Sequence, residues 1–137
     1  MFVGLGRGVL MMFDTDVLIW YFRGDNKAKK VIHSTNDISI SAVTMMELIQ
    51  GVKNKQELYT LRKFLVANEI RTLHLNEEIS SHAIYLLEEY VLSDGIQLGD
   101  ALIAATSLHY GEEILTANVK HYHCLPNLKL EKFTPSK

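Results

Sequence analysis

The apolar run in GVLMMFD, Gly8 to Asp14, is short and stops at a carboxylate, the pattern of a strand buried on both faces. Asp14 to Asp16 turns the chain into VLIWYFRG, a helix-like run closed by Gly24. Ile38 and Ile40 alternate with polar residues in DISIS, a second strand. After Ser41 the apolar positions Val43, Met46, Leu48 and Ile49 mark one helix, and Leu58, Leu61 and Leu65 a second. Ile70, Leu73 and Leu75 predict a third strand. Asn76 caps the next helix, with Glu77 and Glu78 in its first turn, and this helix buries Ile79, Ala83, Leu86, Leu87 and Tyr90 before Ser93-Asp94-Gly95. Leu98 to Tyr110 is a strongly apolar helix closed by Gly111, followed by strands at Glu113 to Thr116 and Leu128 to Phe133. Strands alternating with helices predict an α/β fold with a mostly parallel sheet of four to five strands and helices on both faces.

Length and composition narrow this further. The chain has 137 residues, 47% of them hydrophobic and 22% charged, with two prolines and eight glycines. That is one domain, 1–137, large enough to hold a core without disulfide or metal, and it shows no low-complexity tract. A single cysteine, Cys124, predicts a reducing, cytoplasmic setting, and the run Val9 to Phe13 is too short for a membrane span. Met11 and Met12 precede the first clear element, so residues 1–10 read as an upstream extension of an ordinary start. Net charge is −2 but uneven: residues 1–63 carry nine Lys/Arg against six Asp/Glu, residues 64–137 five against ten. The basic stretches Arg23, Lys27, Lys29, Lys30 and Lys53, Lys55, Arg62, Lys63 read first as solvated helix faces.

Candidate chemistry lies at the ends of the strands. Asp14, Glu47, Asp100 and Asn118 each fall just beyond a strand or early in a following helix, where an open parallel sheet gathers its ligand crevice. Each also has a structural reading: Asp14 or Asp16 as a helix cap, Thr44 to Glu47 as a capping box, Asp100 as a dipole partner, Asn118 as a turn residue. Asp100, in the apolar LGDALIAATSL, is hardest to explain that way. Three carboxylates in one crevice need a cation, and all-oxygen ligands suit Mg²⁺ or Mn²⁺ and phosphodiester hydrolysis. The histidines build no zinc site; His121, close behind Asn118, is the one placed to reach a substrate. Met11, Met12, Met45 and Met46 read as core filling.

FDTDVLI at Phe13 to Ile19, SAVTMMELIQG at Ser41 to Gly51, LGDALIAATSL at Leu98 to Leu108 and ILTANVKHY at Ile114 to Tyr122 together resemble the four motifs of PIN-domain nucleases, most of all the VapC toxins of bacterial and archaeal toxin–antitoxin pairs. The resemblance runs in order from about Met12 and implies a PIN-like three-layer fold. It puts the family's metal-binding acids on Asp14, Glu47 and Asp100, with the fourth position on Asn118, and places Thr15 and Thr116 beside the metal. Asp16 stands where many relatives have asparagine, adding a charge, while Asn118 is neutral. The implied activity is Mg²⁺-dependent endoribonuclease cleavage, silenced by an antitoxin whose C-terminal segment covers the site, in a protein that is usually a homodimer. RNA backbone would then be guided by Arg23, Lys27, Lys29, Lys30 and Lys120, with Trp20 and Tyr21 able to stack on bases.

Two other readings compete. FDTDVLI also resembles the nucleophile motif of haloacid dehalogenase-type phosphatases, but the late strand ILTAN lacks the acidic pair those enzymes need. A catalytically silent interaction module of PIN-like fold would account for the neutral Asn118.

Overall fold

The structure, a computed structural model, describes residues 10–136. Residues 1–9, most of the proposed upstream extension, lie outside the described residues. Leu10 already belongs to the folded unit, because its carbonyl accepts the amide of Glu113 at 3.1 Å.

The elements in order are β1 (Met11–Phe13), α1 (Thr15–Phe22), α2 (Asn26–Ser34), β2 (Ile38–Ser41), α3 (Ala42–Gln50), α4 (Lys55–Ala67), β3 (Arg71–Leu73), α5 (Glu77–Asp94), α6 (Leu98–Tyr110), β4 (Glu113–Thr116), a 3₁₀ turn (Val119–His121) and β5 (Leu130–Lys132). The strands form one five-stranded sheet in the order β3-β2-β1-β4-β5, with every neighbouring pair parallel. Side chains in a strand alternate between faces, and here the alternation divides the core in two. Met11, Phe13, Ile38, Ile40 and Leu115 pack with α1–α4 on one face, while Met12 and Ile114 pack with α5 and α6 on the other. The expected three-layer α/β architecture is therefore what the chain adopts. Among the described residues no helix is long and apolar enough to cross a membrane.

Helix ends follow local chemistry. Asp14 caps α1, Asn54 caps α4 and Asn76 caps α5 through side-chain oxygens, and Gly95 and Gly111 end α5 and α6 in the left-handed conformation. The pattern of apolar positions misses α2, whose NKAKKVIHS carries only Ala28, Val31 and Ile32 into the core among charges. Its signal is Asp25, which is buried and accepts the Ala28 amide at 3.0 Å. A second correction concerns Thr44 to Glu47. The cap of α3 is Ser41, whose Oγ accepts the Val43 amide at 3.0 Å, so Thr44 and Glu47 are interior helical residues and form no capping box. Met46 is also not core filling: it is 57% exposed, whereas Met11 and Met12 are fully buried.

The sheet order fixes where a ligand can go. From β1 the chain runs outward to β2 and β3, then returns by α5 and α6 to the other side of β1 to add β4 and β5. The reversal lies between β1 and β4, and in open α/β sheets ligands bind outside the strands' carboxyl ends at such a switch point. Helices α5 and α6 form an antiparallel hairpin: Asn76 at the start of α5 meets His109 in the last turn of α6 at 3.1 Å. Asp100 therefore does not directly follow a strand, as the sequence suggested; α5 intervenes, and the hairpin carries it back.

Candidate active site

Asp14 is the first residue after β1 and the cap of α1, so its position is fixed by two elements at once. It is 6% exposed. Its Oδ1 accepts the Thr15 amide at 2.8 Å, and its Oδ2 accepts the hydroxyls of Thr116 at 2.8 Å and Tyr122 at 3.0 Å. Burial, reinforced by the charge of Asp16 and opposed by these hydrogen bonds, pushes the Asp14 carboxyl up to about 6.

Asp16, in the first turn of α1, faces the same strand end. Its Oδ2 takes the Ala117 amide at 3.1 Å, the Asn118 side-chain amide at 2.9 Å and, more loosely, the Thr116 hydroxyl at 3.4 Å. Its Oδ1 is buried without a hydrogen-bond partner. Burial raises its pKa despite these donors. Asn118 thus does not stand free in the crevice: its amide nitrogen is committed to Asp16.

Glu47 reaches the site from α3. Its Oε1 accepts the Thr15 hydroxyl at 2.5 Å, and Thr15 also contacts the Thr44 hydroxyl at 3.0 Å. Its other oxygen lies against the first turn of α6, so close to Gly99 that an added Cβ there would sit 2.9 Å from Oε2. Asp100 follows at the next position of that turn. Burial raises its carboxyl, the charges of Asp14 and Glu47 add to the effect, and His121 across a 3.6 Å gap opposes it.

All seven residues proposed from sequence for the centre thus meet around the ends of β1 and β4: Asp14, Thr15, Asp16, Glu47, Asp100, Thr116 and Asn118. Two further residues join them: Tyr122, which the sequence did not single out, and His121, which it placed near a substrate rather than against an acid. Tyr122 is fully buried beneath Asp14, and His121 faces Asp100. Both follow Asn118 within four positions, and only the 3₁₀ turn, which no periodicity announces, brings them back to the strand end.

The basic residues divide. Arg23 lines a groove of about 590 Å³ between α1, α3 and α4 that opens beside Glu47 and also takes in Ile19, Phe22, Leu48 and Lys53. Lys120 is exposed on the 3₁₀ turn next to His121. Lys27, Lys29 and Lys30 lie on α2, and none of them lines the groove. Trp20 and Tyr21 pack against the core, Trp20 with the Arg23 guanidinium 5.6 Å above its ring.

The residues present fit a hard divalent ion. Four carboxylates with three of their pKa values pushed upward form a site that favours a cation, and the unpartnered Asp16 oxygen adds to that demand. Among the described residues no three His, Cys, Asp or Glu side chains close into a finished metal cage. Donors that are all oxygen are of the kind a hard divalent cation takes.

Comparison with known proteins bears on the family rather than on the ion. Residues 11–123 match the PIN domain family. The chain is 32% identical to ribonuclease VapC10 of Mycobacterium tuberculosis, over 88% of this chain and 91% of that one. It is 31% identical to ribonuclease VapC19 of the same organism, over 88% and 98%. A solved toxin–antitoxin complex from Klebsiella pneumoniae superposes with a TM-score of 0.72 at 28% identity, covering 86% of this chain and 94% of that one. With four motifs in order on a parallel sheet whose switch point holds the acids they supply, the chain belongs to the PIN-domain family, among the relatives of the VapC ribonucleases.

Proposed function

We propose that this chain is a divalent-metal-dependent endoribonuclease and the toxin of a toxin–antitoxin pair, with its active centre at the ends of β1 and β4. The observation that carries this is the crowding of Asp14, Asp16, Glu47 and Asp100 against one strand end, with each of the first three held by a hydroxyl or amide of its own. Asp14, Glu47 and Asp100 would hold the ion. Mg²⁺ or Mn²⁺ bound there would supply an activated water and neutralise charge on the phosphoryl oxygen.

The protein's part is positioning. Thr15 holds the Glu47 carboxylate and Thr116 that of Asp14, so neither has to be ordered when RNA arrives. Asp16 supplies the negative charge that Asn118 lacks, and Asn118 fixes its direction. The neutral Asn118 therefore does not argue for a silent module. Nor does the site fit a haloacid dehalogenase-type phosphatase, which would leave Glu47 and Asp100 without a role.

RNA backbone would cross the centre between Arg23 and Lys53, which line the groove beside Glu47, and Lys120 on the 3₁₀ turn. The same groove, with an apolar floor of Ile19, Phe22 and Leu48, would take the antitoxin segment, so that inhibition is occlusion of one shared channel. Exposed Leu92 and Leu98 at the end of the α5–α6 hairpin, with exposed Tyr85 midway along α5, support a homodimer across that surface. A cytoplasmic setting agrees with a free Cys124.

The test uses labelled RNA with Mg²⁺ or Mn²⁺, and again with EDTA. Cleavage is expected only with metal and is lost in Asp100→Asn. Cleavage that survives EDTA, or no cleavage of either structured or unstructured RNA, overturns the reading.

A further inference from the structure

Tyr122 is the largest fully buried side chain in the described structure. It sits just past the 3₁₀ turn among apolar residues of α5, α6 and β4, and its phenol has one partner, the Oδ2 of Asp14 at 3.0 Å. Packing alone does not require the oxygen, since phenylalanine fills nearly the same volume. A buried hydroxyl does need an acceptor, and here the acceptor belongs to the proposed metal site.

An ionised carboxylate offers about four acceptor positions, two on each oxygen. On Asp14 three are taken. The hydroxyls of Thr116 and Tyr122 fill both positions of Oδ2, and the Thr15 amide fills one of Oδ1. The one remaining position is on Oδ1.

We propose that Tyr122 is a positioning residue: with Thr116 it saturates one oxygen of Asp14, so that Asp14 can meet the divalent ion only through the other, as a single-oxygen ligand of fixed direction. This rests on the metal-site reading above. Tyr122 touches neither RNA nor ion. It acts through Asp14, in the way partners behind a metal ligand hold its orientation.

The experiment compares the full chain with Tyr122→Phe and Asp14→Asn. Mn²⁺ binding without RNA is measured by calorimetry, and kcat and KM are measured on labelled RNA. Tyr122→Phe is expected to weaken Mn²⁺ binding about tenfold and to lower kcat while leaving KM for RNA unchanged, because the phenol is out of reach of substrate. Adding Mn²⁺ to the unaltered protein should also perturb the near-ultraviolet tyrosine absorption, and that perturbation should vanish in Tyr122→Phe. If Asp14→Asn binds Mn²⁺ as well as the unaltered protein, the metal-site reading itself fails. If Asp14→Asn loses Mn²⁺ but Tyr122→Phe keeps both affinity and kcat, the site stands and the positioning role falls. If Tyr122→Phe does not fold, the absorption experiment on the unaltered protein decides, and no perturbation there overturns the proposal.

Discussion

Asp14 combines a structural duty and a chemical one that pull in opposite directions. Its carboxyl, raised to about 6, binds a proton more readily when folded than when unfolded. The stability it contributes in the metal-free protein is therefore complete below its unfolded value near 3.8 and is lost as pH rises through about 6. Asp14→Asn should accordingly stabilise the metal-free protein at pH 7 by on the order of 1–2 kcal/mol, after the weakened hydrogen bonds are allowed for, and so raise its thermal midpoint. The same change should abolish RNA cleavage. Thermal melts with EDTA beside cleavage assays check both signs, and a lower midpoint would contradict the strain assigned to this carboxylate. Asp16→Asn should reduce kcat at least tenfold, whereas Asn118→Asp in that background should restore much of it by returning the charge to the same pair; a kinetic comparison of the single and double variants decides. The acids were legible one by one because carboxylates at strand ends and in an apolar helix stand out in a sequence. That Asn118 serves Asp16 was not legible, since a side-chain amide bond between residues 102 positions apart leaves no local trace.

At the scale of elements, the first turn of α6 shows how a helix can be locally imperfect to serve a neighbour. Gly99 lies inside a helix, where glycine costs up to about 1 kcal/mol relative to alanine, yet a Cβ there would meet the Glu47 carboxylate. Gly99→Ala should leave the thermal midpoint unchanged or slightly higher, because a carboxylate tip can swing aside, while kcat falls as Glu47 leaves the Thr15 hydroxyl; melts and kinetics on one preparation test the divergence. Strands β1, β2 and β4 and helix α6 could be read closely from apolar runs and glycine stops. Helix α2 could not, because three core residues among charges give too weak a period and its Asp25 cap resembles any turn aspartate. At the opposite end of the sheet, Glu112 is 4% exposed, accepts the Ser39 hydroxyl at 2.5 Å and pairs with Arg71 at 3.1 Å. Removing Arg71 leaves the buried Glu112 carboxylate without its half-exposed partner, so Arg71→Ala should cost about 1–2 kcal/mol by urea titration without changing kcat.

The whole molecule is arranged so that metal and fold support each other. Three segments bring four like charges to one point, and the energy of that crowding is recovered only when a cation arrives. Mn²⁺ at about a hundred times its dissociation constant should add roughly 2–3 kcal/mol of stability, on the order of 5–10 °C in midpoint, and calorimetric scans with and without EDTA measure it. The increment should shrink from pH 7 toward pH 5 as Asp14 takes up a proton. The three-layer plan was legible because strands alternating with helices admit few other packings. The return of α5 and α6 across β1 was not, since it depends on which apolar faces match in space.

That return also sets when the enzyme becomes dangerous to the cell that makes it. Strand β1 lies in the middle of the sheet, but its second neighbour β4 follows 102 residues later, and the phenol beneath Asp14 later still. During translation the first acid leaves the ribosome long before the partners that hold it, so an interrupted product ending short of β4 has no assembled centre and is harmless. Only a chain synthesised past β4 can bring Thr116 and the phenol of Tyr122 to Asp14 and so complete the centre.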